Sequence, residues 1–312
     1  MDLFTMRDLF SAPFIQPVSG LLQRYLERLQ AADTVQLSAP ATLEGVLALG
    51  QIEGAFLDCG VKYSRRFTAP REHVPRDEWG LPEPPSQGLG VFLNVEDDTW
   101  SASELPEEAL VNIAPVQTNV VFGSKNKAHA GALDPVLQAA ALAAALAPNG
   151  RRVRSLRPFI SLGLWMRGSL DTSYDPIHSA TVAHLQDEGS IRTVPLPEVG
   201  EPVVDMMPGM SSRQLKRLSK AWEGMDVDQR TLALSELVLP CLTHPALSTP
   251  RLEELVWHRM VLKGHPHDVV SQAHKVQKSW PKELDKARLF ASKTLDSWLQ
   301  TGMLIPSEQA TD

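Results

Sequence analysis

The chain has 312 residues, 43% hydrophobic and 21% charged, enough apolar material for a sizeable core in one large domain or two smaller ones. Its formal net charge of -7 excludes the broad basic surface of a protein that grips duplex DNA. Residues 1–150 carry 10 Lys+Arg against 18 Asp+Glu, and residues 151–312 carry 20 against 19, so nucleic-acid contact is expected to be local or mediated by a partner. No apolar run reaches the roughly 20 residues of a membrane span. The opening MDLFTMRDLFSAPF lacks the apolar stretch of a signal peptide. A cytoplasmic, nucleoid-associated protein without membrane contact is expected. Cys59 and Cys241 cannot form a CxxC motif and read as two buried thiols in a reducing compartment.

In chain order, residues 17–31 predict an amphipathic helix with Leu21, Leu22, Tyr25, Leu26 and Leu29 on its core face. Residues 34–68 read as strand, tight turn, buried helix over 43–58, and second strand from Val61, a βαβ crossover in which Gly60 ends the helix. The segment 70–90, with five prolines, is a linker or insertion. Gly90–Val95 is a short buried strand before the acidic turn Glu96, Asp97 and Asp98. Leu110–Val116 is another strand. A small-residue helix follows over 135–147, with Asp134 as N-cap and Pro135 at its first position. Residues 156–166 are apolar, helix or strand. Thr181–Glu188 reads as a helix, Ile191–Leu196 as a strand, and everything from 211 as helical. The expected fold is α/β, a parallel sheet flanked by helices. It comprises an N-terminal helical segment (1–33), an α/β domain (34–210) and a helical C-terminal region (211–312).

Few residues carry chemistry. A strand–turn–helix unit normally places it just after the first strand. Here that turn is Ser38 to Leu43, with no carboxylate before Glu44. Glu96, Asp97 and Asp98 could ligate a metal but read better as an exposed acidic turn. His258, His265, His267 and His274 lack cysteines and a standard zinc spacing, and read as exposed or locally capping. His129 stands alone. Gly123-Ser124 and Gly168-Ser169 lack the second glycine of a nucleophile elbow. Phe122 to Lys127, glycine-containing and basic, could hold a phosphate at a following helix. Arg151, Arg152, Arg154 and Arg157 form a basic cluster, read as a solvated face with nucleic acid or an acidic partner as the alternative.

The element order over roughly 34–210 resembles the catalytic domain of the DHH phosphoesterase superfamily, in its RecJ-like archaeal branch. Thr42-Leu43-Glu44-Gly45 stands where that family has D-A-D-G. Asn94, in Val91 to Val95, stands for the Asp of V-L-D-L-G. Val111 to Pro115 echoes the family's N-P, Ala128–Ala147 its small-residue helix, and Phe159 to Met166 its A-L-x-G-A-x-G-D without the Asp. No DHH triplet occurs anywhere in the chain. The family hydrolyses phosphodiesters with two divalent ions held by carboxylates and histidine. The resemblance therefore implies a catalytically degenerate member, with Thr42, Glu44, Asn94 and Met166 at the emptied positions and no cofactor or metal. It implies a scaffold subunit of an archaeal-type replicative helicase assembly, with a GINS-like protein and the MCM helicase as partners. Weak single-stranded DNA binding is expected through Lys125, Lys127, Arg151, Arg152, Arg154 and Arg157. The alternatives are a divergent metal-dependent phosphoesterase or single-strand nuclease, and an interaction module unrelated to replication. The second substrate-binding domain of the branch is expected to be absent after 211.

Overall fold

The computed structural model describes residues 9–99, 109–122, 127–171, 173–245 and 247–306. In chain order the elements are α1 (Ser19–Ala31), β1 (Val35–Pro40), α2 (Leu43–Cys59), β2 (Tyr63–Thr68), β3 (Leu89–Leu93), β4 (Leu110–Ile113), β5 (Val116–Phe122) and β6 (Lys127–Leu133). Then come α3 (Pro135–Leu146), α4 (Arg151–Leu156), α5 (Leu162–Met166), α6 (Pro176–Asp187) and β7 (Arg192–Val194). The chain continues through α7 (Ser212–Ala221), α8 (Val227–Leu242), α9 (Thr249–Trp257), β8 (Arg259–Val261), α10 (Val269–Lys278) and α11 (Leu284–Thr301).

The predicted α/β class holds at this level. The main sheet is four-stranded and all-parallel, in the order β2-β1-β3-β4. Register places Val35 beside both Tyr63 and Leu89. The connection after β1 runs to β2 on one side and the connection after β3 runs to β4 on the other, so a crevice opens between the C-terminal ends of β1 and β3. Every residue of β3 is buried, as in a sheet covered on both faces.

Helix α2 forms the centre. It is apolar nearly all round and buried at Leu43 and from Gly45 to Phe56. The Thr42 hydroxyl caps it by accepting from the Gly45 N–H, and Gly60, at φ 76°, closes it in the left-handed region. Helix α3 packs on α2, its buried alanines allowing close approach. Asp134 caps α3 as expected, accepting from the N–H groups of Val136 and Leu137. Helix α1 packs on α3, with Tyr25 donating to the Asn112 carbonyl beside β4. From the other end of the chain, α11 lies on α2: a side chain at Gly50 would sit 2.6 Å from the Trp298 ring. Trp280 donates its indole N–H to the Ala41 carbonyl at 3.0 Å.

Four local expectations are corrected. Residues 116–122 and 127–133, read as a strand end, a loop and the start of a helix, pair as the antiparallel strands β5 and β6. The small residues Ala128 to Ala132 serve a strand here; a side chain at Gly131 would collide with Ile177 at 2.6 Å. Helix α6 starts at Pro176 rather than Thr181, because Asp175 caps it just as Asp134 caps α3. The region after 211 is not wholly helical, since Arg259–Val261 pairs with Arg192–Val194 as β8 with β7. A strand of three residues leaves no periodicity to read. Cys59 is exposed and only Cys241 is buried. Among the described residues, no helix is long and apolar enough to cross a membrane.

Candidate functional site

The crevice at the C-terminal ends of β1 and β3 is bounded by the turn at 41–44 and the loop at 94–99. A cavity of about 300 Å³ opens beside it, lined among others by Thr42, Glu44, His73, Glu96 and Trp280. A second, of about 290 Å³, lies over Phe92 and Asn94 beneath Trp79 and Leu81 of the 70–88 segment.

The four positions that the resemblance singled out are placed as follows. Thr42 is spent on capping α2. Glu44 is half-buried in the first turn of α2; burial pushes its carboxyl up, against a backbone hydrogen bond and the Arg167 charge. Asn94 is buried, and its amide reaches the Asp97 carboxylate at 3.4 Å. Met166 ends α5 and packs against the core.

The three acids after β3 point three ways. Both oxygens of Glu96 accept from the Arg71 N–H at 3.1 Å, which ties the 70–80 segment to the crevice. Asp97 accepts from the N–H and hydroxyl of Thr99 at 2.7 and 2.6 Å, closing the turn on itself. Asp98 is exposed and lies 3.5 Å from the Arg167 guanidinium.

Arg167 is the residue that sequence reasoning missed. Its guanidinium enters the loop after β3 and donates to the Val95 carbonyl at 2.7 Å and the Asp97 carbonyl at 2.8 Å. Its charge also acts on Glu44 and Asp134. Asp134 is wholly buried, with one oxygen capping α3 and the other, Oδ2, without a hydrogen bond. Burial pushes its carboxyl up to about 6, against the Leu137 N–H and the Arg167 charge. The signal available in the sequence was a cation directly after the apolar run Phe159 to Met166.

Against family models and against curated proteins, the chain matches none.

The described residues do not fit the two divalent ions that the DHH phosphoesterases use. Hard cations need several convergent oxygen ligands. Among the described residues, no three His, Cys, Asp or Glu side chains gather as a metal would require.

The residues expected to touch nucleic acid do not meet in the crevice. Lys125 lies outside the described residues. Lys127 opens β6, so the element that follows it is a strand and not the expected helix. Arg151, Arg152 and Arg154 sit on α4 at the far end of α2, with Arg152 paired to Asp58 at 3.0 Å. From Leu43 to Asp58, α2 spans roughly 22 Å at 1.5 Å per residue, so this cluster is remote from the crevice. Arg157 leaves the cluster altogether: it is 1% exposed and forms a buried two-bond pair with Glu188 at 2.9 and 3.0 Å. The histidines hold local structure. His265 bridges the carbonyls of His267 and Ile305, and His267 contacts the Glu201 carbonyl and Lys275.

Proposed function

We propose that this protein is a catalytically inactive RecJ-like relative of the DHH phosphoesterases that serves as a scaffold. Its setting would be an archaeal-type replicative helicase assembly, beside a GINS-like protein and MCM. The strand order and the α2 crossover are compatible with that family. The single observation that carries the reading is Arg167, a fixed cation hydrogen-bonded into the loop where the family would bind metal. Thr42 as a helix cap and Asn94 as a turn former agree with it. The replicative partners follow from the resemblance alone.

The purified chain is expected to leave labelled single-stranded DNA and short oligonucleotides intact with Mn²⁺ or Mg²⁺. Cleavage abolished by Glu44→Ala or Asp98→Ala would instead make it a living phosphoesterase. For the partners, GINS and MCM from an archaeon should co-elute with the chain in size exclusion. Recovery of neither would remove the replication setting while leaving the inactive site in place.

A further inference from the structure

Helix α7 carries its charge on one side. Arg213, Lys216, Arg217 and Lys220 recur at helical spacing, all exposed, opposite the buried Leu215 and Leu218. With Ser212 they line a shallow groove of about 460 Å³. The segment from Ser211 to Ala221 contains no acidic residue. Among the described residues none of the four cations forms an ion pair. Like charges at this spacing repel one another, so an anionic partner would relieve a standing cost.

The next helix turns leucines outward. Leu232, Leu239 and Leu242 of α8 are 63%, 58% and 54% exposed. At 100° per residue they fall on the side away from the buried Leu234, Leu237 and Cys241. Helices α7 and α8 touch and are joined by the short turn at 222–226. Exposed cations on α7 and exposed leucines on α8 thus sit on the two packed helices of one hairpin, with Asp228 and Glu236 also exposed among the leucines.

We propose that the α7–α8 face docks an acidic amphipathic segment of a partner protein. The segment's carboxylates would meet Arg213, Lys216, Arg217 and Lys220, and its apolar side chains would cover Leu232, Leu239 and Leu242. Two other polyanions fit less well. Single-stranded nucleic acid gains much of its affinity from bases stacked on aromatic rings. The one aromatic residue in this hairpin, Trp222, is 3% exposed and lies under Arg230. An anionic bilayer would need the apolar face of α7 to insert, and that face is buried in the protein. The surface lies outside the DHH-like segment, and the inference does not rest on the family reading.

Fluorescence anisotropy on the full chain tests it, with four probes: a synthetic acidic amphipathic helix carrying Glu and Leu stripes, its scrambled isomer, an oligo-dT of equal charge, and vesicles rich in phosphatidylserine. The striped peptide is expected to bind best and more weakly as salt rises. Lys216→Glu/Arg217→Glu should weaken it by about tenfold or more, and Leu239→Ser should weaken it separately. These positions are exposed, so circular dichroism should show both variants folded. No binding of the striped peptide, equal binding of the scrambled one, indifference to either variant, or tighter binding of DNA or vesicles would each overturn the proposal.

Discussion

Arg157→Ala is expected to lower the stability of the chain by about 3–5 kcal/mol, the usual cost of breaking a buried ion pair from one side. Its partner Glu188 has a wholly buried side chain. Burial works against the Glu188 charge, yet hydrogen bonds from His184, Arg157 and Ser190, with the Arg157 charge, hold its carboxyl down to about 2. Without the guanidinium, that carboxylate keeps its desolvation and loses its main compensation. Urea unfolding at neutral pH measures the loss. The double variant Arg157→Met/Glu188→Leu is expected to recover much of it, because a well-packed apolar pair replaces a buried salt bridge at little cost. A single variant of parental stability but poorer single-strand binding would return Arg157 to the surface cluster.

Asp134→Asn is expected to act in the opposite direction and to depend on pH. Asn remains a good N-cap, but cannot ionise. The Asp134 carboxyl titrates near 3.8 when unfolded and at about 6 when folded. Between those values the unfolded chain holds fewer protons, so the Asp134 contribution to stability falls as pH rises through that window and is flat above it. The full loss is about 3 kcal/mol at 1.36 kcal/mol per unit. The advantage of the variant over the parent should therefore grow from about pH 4 to about pH 6 and then level off. Glu188 follows the reverse rule: its stabilisation is present above the ordinary Glu value of 4.5 and fades as pH falls toward 2. It is common to both chains and cancels in the comparison. An Asn variant whose advantage does not change with pH would show that Asp134 is better solvated than its geometry implies.

The central βαβ unit was legible because its signals are local. An apolar helix, a Thr cap, and Gly60 at the end each act within a few residues, and the structure uses them as read. Asp134-Pro135 gave the start of α3 for the same reason, and Asp175-Pro176 carried an identical signal that went unread. The pairing of β5 and β6 was hidden because its small residues satisfy helix and strand alike until Ile177, distant in sequence, packs against Gly131. Arg157 looked like a surface cation beside Arg151, Arg152 and Arg154; only the fold brings Glu188 to it. The site shows the same division. The absence of a DHH triplet could be read directly, because it needs no structure. The guanidinium beside Asp98 could not, because only the fold brings Arg167, just after α5, to the Val95 and Asp97 carbonyls after β3.

The closeness of Trp298 to Gly50 bears on how the protein is made. The apolar helix α2 leaves the ribosome early, and the ring that covers it comes 248 positions later. At typical synthesis rates that interval is roughly 10–50 s. Over that interval the nascent chain carries α2 without the ring that covers it at Gly50. Transiently exposed apolar surface is prone to aggregate, so a message truncated before Trp298 is expected to yield a less soluble product, which the soluble fraction of such a truncation measures.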